Sequence, residues 1–150
     1  MPSGRGHVSH VLLSPTYGMN KGFTRFDFSV LQKGNPHEVS TSKELTDLAL
    51  RDLADLKEPF LVWVHYFDPH FEYLPHDPWT GFGDSPSDRY DQEIAYTDRE
   101  IGRVLEFFRQ RKLLDRTLVV FTADHGEEFG EHGGEYHDTC FDEVLRVPLV

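Results

Sequence analysis

Thr117-Leu-Val-Val-Phe-Thr-Ala-Asp-His-Gly-Glu127 governs how this chain of 150 residues is read. A run suited to a buried strand, Thr117 to Phe121, leads straight into Asp124-His125-Gly126. In an open α/β sheet, ligands bind beyond the carboxyl ends of the strands. A carboxylate and an imidazole delivered there form a usual ligand pair for a hard or borderline divalent cation. Gly126 allows the backbone to turn sharply beside them. Alone, the tripeptide fits a capping Asp and an exposed His equally well. The strand in front and the Glu- and His-rich loop behind turn the reading towards a metal site.

A second apolar run, Phe60-Leu-Val-Trp-Val64, leads into His65-Tyr-Phe-Asp-Pro-His70. A continuous apolar run of this length predicts a strand covered on both faces, as in a parallel sheet. His70 then stands at a strand end too, so the two strands are expected to present His70 and Asp124 to one crevice. An imidazole there can hold an anion or protonate a leaving group. Pro69 fixes the backbone before it. His65 reads as a packed histidine, Asp68 as an Asx-turn before Pro69, and His76 as a solvated loop residue.

The third group is Glu131-His132-Gly-Gly-Glu-Tyr-His137, followed by Asp142-Glu-Val-Leu-Arg-Val-Pro148. His132 and His137 are equal candidates for the same crevice on chemistry alone. Glu127, Glu128 and Glu131 read as a solvated acidic loop, with a supporting contact to a metal ligand open to Glu127. Arg146 either binds an anion or pairs with Asp142 or Glu143 one turn back. Cys140, in an apolar helical context, reads as buried rather than reactive.

The rest of the chain supplies the frame. His7 to Ser14 is a short strand candidate, and Tyr17 to Phe28 a packed loop with Phe23, Phe26 and Phe28 in the core. Gln32 to Ser40 is turn-like. Thr41 and Glu44 form a capping box ahead of Leu45, Leu48, Ala49, Leu53 and Leu56 at helical spacing. Asp68 to Asp88 reads as a long loop of the length that often carries function. A helix is predicted over Tyr90 to Arg111, with Ile94, Ile101, Leu105 and Phe108 inward and its acidic face in solvent. A short helical piece near Thr139 to Leu145 precedes a last strand starting at Arg146. This alternation predicts an α/β fold with a mostly parallel central sheet flanked by helices.

Composition narrows the function classes. A formal charge of −11 argues against a nucleic-acid partner, which calls for a basic face. It leaves an anionic substrate open, because a bound cation inverts the local field. No apolar run approaches the roughly 18 residues that span a bilayer. The single cysteine excludes an internal disulfide and leaves the compartment open. Residues 1–7 read as a truncated or appended start, with the domain running from 8 to 150.

Four motifs, in order, resemble the middle portion of a sulfatase, in the alkaline-phosphatase-like superfamily. They are Gly18-Met-Asn-Lys-Gly-Phe-Thr-Arg-Phe26, Pro59 to His70, Tyr90-Asp-Gln-Glu-Ile-Ala-Tyr-Thr-Asp98 running on to Phe121–Glu127, and His137-Asp-Thr-Cys-Phe-Asp-Glu-Val-Leu-Arg-Val-Pro-Leu149. The resemblance implies that Asp124 and His125 are metal ligands. It implies that His70 contacts the sulfate and helps to protonate the leaving oxygen. His137 falls where the family places a Lys or His on the sulfate, and His10 aligns loosely with an upstream basic position. The implied cation is Ca²⁺, with Mg²⁺, Mn²⁺ and Zn²⁺ also compatible with the donors. The implied substrate is a small-molecule or glycan sulfate ester.

The family's nucleophile is a formylglycine made from Cys or Ser in a Cys/Ser-x-Pro-x-Arg motif, and no such motif occurs in these 150 residues. The family's early pair of metal-binding acids is also missing. The resemblance therefore implies a partial catalytic domain, truncated at both ends and inactive by itself, with formylglycine outside it. Within the same superfamily the alternatives are a phosphonate or phosphodiester hydrolase and a phosphoethanolamine transferase. Outside it, the alternative is a degenerate, non-catalytic binding domain.

Overall fold

The computed structural model describes residues 3–32, 41–76 and 81–150. It consists of two compact units, Met1–Phe107 and Phe108–Val150. The turn read over Gln32 to Ser40 lies, beyond Gln32, outside the described residues.

The first unit is built on a three-stranded parallel sheet. Its strands are β1 (Ser3–Val8), β2 (Arg25–Asp27) and β3 (Phe60–His65), in the order β2-β1-β3. Two helices accompany it, α1 (Ser42–Asp52) and α2 (Pro86–Gln110). Parallel strands joined through helices match the α/β class read from the sequence.

The central strand comes from the stretch that the sequence reading set outside the fold. Ser3–Val8 pairs with β3 along its whole length, from Ser3 opposite Phe60 to Val8 opposite His65. It is not apolar, and its two faces are covered in different ways. Gly4 lets the backbone of residues 22–24 approach, and Gly6 leaves room for aromatic rings: a Cβ on Gly6 would lie 2.5 Å from the Phe26 ring. Phe23, Phe26 and Trp63 cluster with centroids 5.4–6.4 Å apart.

On the alternate positions Arg5 and His7 are buried among acids. Arg5 Nε and His7 Nε2 lie 3.1 and 3.3 Å from Asp52 Oδ2, and Arg5 Nη2 lies 3.1 Å from Asp55. Burial pushes the His7 imidazole below its ordinary pKa, against the pull of Asp52 and Asp27. A polar strand can thus be central when its charges are met inside.

The helix α1 buries Leu45, Thr46 and Ala49, and Leu53 just beyond its end is fully covered. Thr41 is its N-cap, but its hydroxyl makes no capping bond to the helix. Asp68 caps it instead. Its carboxylate accepts from the Thr41 amide at 2.9 Å, the Ser42 amide at 2.7 Å and the Ser42 hydroxyl at 2.6 Å. The Asx-turn read at Asp68 is thereby replaced by a long-range cap.

The second helix starts four residues before the predicted Tyr90, with Pro86 as its first residue, a position proline favours. Its inner face is polar in its first half and apolar only towards its end. Gln92, Glu93, Thr97 and Glu100 are buried, and Phe108 is buried as read, whereas Ile94 is 42% exposed. Glu100 accepts from Arg103, and Arg103 reaches Asp47 of α1 at 2.6 Å. The acidic face read as solvated is in part the packing face.

In the second unit Thr117–Phe121 is extended but forms no strand ladder among the described residues. Leu118 is 88% exposed and Val120 63%. Phe121 exchanges backbone hydrogen bonds with Val150 at 2.9 and 3.0 Å, and Thr122 bridges Leu149 antiparallel. The buried parallel strand read there, and its parallel successor from Arg146, are replaced by this antiparallel contact. The unit also holds the pair β4 (Glu128–Phe129) and β5 (Glu135–Tyr136) and one helical turn, α3 (Asp142–Leu145). Cys140 is exposed, not buried.

Candidate functional site

His70 stands five residues beyond β3, in a segment with neither helix nor strand. Its ring stacks on Phe67, centroids 4.2 Å apart, and Phe67 stacks in turn on His10 at 5.1 Å. The two imidazoles therefore flank one buried phenyl ring. His70 Nδ1 lies 2.6 Å from the Phe71 carbonyl oxygen. A carbonyl can only accept, so Nδ1 carries a proton and the lone pair of the neutral ring lies on Nε2.

The neighbouring histidines serve the fold. His65 packs edge-on to Trp63 at 6.2 Å, as read, and its carbonyl accepts from the Ser9 hydroxyl at 2.8 Å. His76 is buried rather than solvated. It stacks on Tyr96 at 3.9 Å, with Nε2 3.4 Å from Glu93 Oε1. Tyr66 is half-buried, and its partial burial pushes its phenol up to about 12, with Thr46 as its hydroxyl partner.

In the second unit Gly126 fixes the turn after Asp124-His125. Its amide donates to the Val144 carbonyl at 2.7 Å, and a Cβ there would lie 2.1 Å from the Glu143 carbonyl oxygen. No side chain fits at that distance, so the sequence needs glycine here. Asp124 Oδ1 accepts the His125 amide at 3.1 Å, and Asp124 Oδ2 lies 3.9 Å from His125 Nε2. His125 Nδ1 lies 2.8 Å from the Gly126 carbonyl and must donate to it. His125 thus presents the same nitrogen as His70, Nε2, through the same kind of bond to the next carbonyl.

The unit also separates the two remaining histidines. His137 stacks on His125 with centroids 4.1 Å apart, and its Nδ1 lies 3.3 Å from the nearly covered Glu127 carboxylate. His132 stacks on Phe141 at 3.7 Å and faces Glu128 and Glu143. Glu128 is buried, not solvated. The Thr139 hydroxyl, backbone amides and the His132 charge hold its carboxyl below the ordinary range. The Arg146 side chain is exposed and pairs with neither Asp142 nor Glu143 among the described residues.

The donor set suits a cation in kind. Asp124 offers a largely exposed carboxylate and His125 a lone pair at Nε2, at a spacing two ligands of one ion can share. Among the described residues no group of three or more His, Cys, Asp or Glu side chains gathers to complete a shell.

Comparison with known proteins bears on this arrangement. The sulfatase family model matches residues 7–150, so the chain belongs to the sulfatase family. It is 38% identical to mouse (Mus musculus) iduronate 2-sulfatase over 61 residues, 41% of this chain and 11% of that enzyme. It is 34% identical to the choline-sulfatase of Rhizobium meliloti over 61 residues, 41% of this chain and 12% of that one. The matched stretches thus span about a tenth of these relatives. The phosphonate monoester hydrolase of Agrobacterium radiobacter has a similar fold, with TM-score 0.65 at 18% identity over 78% of this chain and 33% of that one. The alkaline-phosphatase-like α/β class read from the sequence is therefore the fold of the family.

Proposed function

We propose that this chain supplies part of the active site of a sulfate-ester hydrolase. In this reading Asp124 and His125 hold a divalent cation, with His70 and His137 on the sulfate. The observation that carries it is the shared tautomer. His70 and His125 each commit Nδ1–H to the following carbonyl, which puts the lone pair of the neutral ring on Nε2. A bound cation would neutralise charge on the sulfate oxygens. His70, protonated at Nε2 as well, can give that proton to the departing ester oxygen. His137, with Nδ1 3.3 Å from Glu127 Oε1, is read as the second imidazole that contacts the anion. Family membership favours Ca²⁺, while the imidazole of His125 also suits Mn²⁺ or Zn²⁺. The substrate is read as a small-molecule or glycan sulfate ester.

The nucleophile, read as formylglycine, and the remaining ligands belong to residues outside these 150, so the chain by itself is expected not to turn over. The similar fold of a phosphonate monoester hydrolase keeps a second reading in view, because sulfate and phosphonate esters share a tetrahedral centre. The test is hydrolysis of an aryl sulfate against an aryl phosphonate by the full-length protein, with and without chelator. His70→Ala is expected to lower sulfate turnover by about 10²–10⁴-fold. Unchanged turnover in that variant, or turnover by the 150 residues alone, would contradict the assignment.

A further inference from the structure

We propose that Glu93 is the positioning residue of His70, acting through the backbone that carries it. Among the described residues of the loop after β3, residues 66–76 lie in neither helix nor strand. Its amides need acceptors wherever they are covered. Glu93 is 2% exposed and supplies two. Its Oε2 accepts the His70 amide at 3.2 Å and its Oε1 accepts the Leu74 amide at 3.0 Å.

One rigid carboxylate thus spans the loop from residue 70 to residue 74. His76 completes the anchorage, with Nε2 facing Glu93 Oε1 and its amide donating to Gln92 Oε1 at 3.1 Å. Glu93 itself is set by α2, whose Thr97, one turn on, donates to the Asp68 carbonyl at 3.4 Å. The same helix face therefore holds the loop on both sides of His70.

The chemistry calls for a carboxylate. Only a group with two equivalent acceptors and no donor can take both amides, and a charged acceptor strengthens each bond. Glutamine at 93 would keep the volume but put an NH₂ against one amide. His70 would lose the backbone placement that sets its Nδ1 on the Phe71 carbonyl. The tautomer with the lone pair on Nε2 would no longer be fixed.

The inference rests on reading His70 as the proton donor to a sulfate ester, and the test separates the two. Long-range ¹⁵N–¹H spectra of the histidine rings report the tautomer directly. Wild type is expected to show His70 as the Nδ1–H form, with the His70 and Leu74 amides protected from exchange. Glu93→Gln is expected to move His70 towards the Nε2–H form while the β1 and β3 amides stay unchanged, and Glu93→Asp to restore part of the wild-type pattern. In the full-length enzyme the kcat of Glu93→Gln is expected to fall roughly 10–100-fold with little change in KM, as for other groups that orient a reacting side chain.

An unchanged His70 tautomer in Glu93→Gln overturns the inference. If that variant does not fold, exchange in the wild type settles the matter: protected His70 and Leu74 amides uphold the anchorage, and unprotected ones overturn it. If His70→Ala leaves sulfate hydrolysis intact, the sulfatase reading falls while the tautomer shift still upholds Glu93.

Discussion

The loop that carries His70 and the turn that carries Asp124 are held in opposite ways. His70 is gripped by buried side chains: Glu93 on two amides, Phe67 on the ring, Asp68 tied to the start of α1. Asp124 is held by backbone, through the close approach of Gly126 to residues 143 and 144, and its carboxylate is 82% exposed. The role proposed for His70, a proton donor, needs a fixed direction, which side-chain anchors provide. The role proposed for Asp124, a metal ligand, needs an accessible charge, which an exposed carboxylate provides. The apolar runs before them differ in the same sense: Phe60–His65 is laddered to β1, whereas among the described residues Thr117–Phe121 joins no ladder and meets Val150 through Phe121.

The largest effects should expose that contrast in packing. Leu53, fully buried beside α1, should cost about 2–5 kcal/mol as Leu53→Ala, whereas Val120→Ala at an exposed site should stay within about 0.5 kcal/mol. Denaturant titration of both variants checks this, and equal losses would show that the second run is covered in solution. Next, Asp68→Ala removes a charged acceptor from three donors and should cost about 2 kcal/mol, more than the loss of an ordinary cap. A loss of a few tenths in thermal unfolding would mean that water replaces the carboxylate.

A smaller effect is expected from pH. His7 has its pKa lowered in the fold, so below its unfolded value of about 6.5 the unfolded chain binds the proton more readily. Its contribution is complete above that pH and is lost as pH falls through it, by at most about 1.4 kcal/mol per unit. His7→Asn should flatten the stability profile below about pH 6.5, and an unchanged slope would assign it to other groups. Asp124→Ala should leave stability unchanged within about 0.5 kcal/mol, since an exposed carboxylate supports no packing.

Much of this was legible in residue order. The α/β class, the helix from residue 42 and the packing of His65 all follow from local pattern. What stayed hidden was long-range and polar. Ser3–Val8 has no apolar signature because its glycines make room for Phe23 and Phe26 and its charges meet Asp52 and Asp55. The inner face of α2 was misread for the same reason. Glu93 and Glu100 carry charge, but their partners lie 19 to 23 residues back in the loop or on the next turn. No spacing rule reports a carboxylate whose donors are backbone amides of a distant loop. Thr117–Phe121 erred the other way, since an apolar run is buried only where a neighbouring strand exists to cover it.

The central claim is that Asp124 and His125 together hold a cation. Titration with Mn²⁺, followed by paramagnetic broadening of the histidine ring signals, tests it most directly. The account predicts that the His125 ring broadens first and that Asp124→Ala abolishes this. Broadening centred on His132, beside Glu128 and Glu143, or broadening of His125 that survives Asp124→Ala, would contradict it.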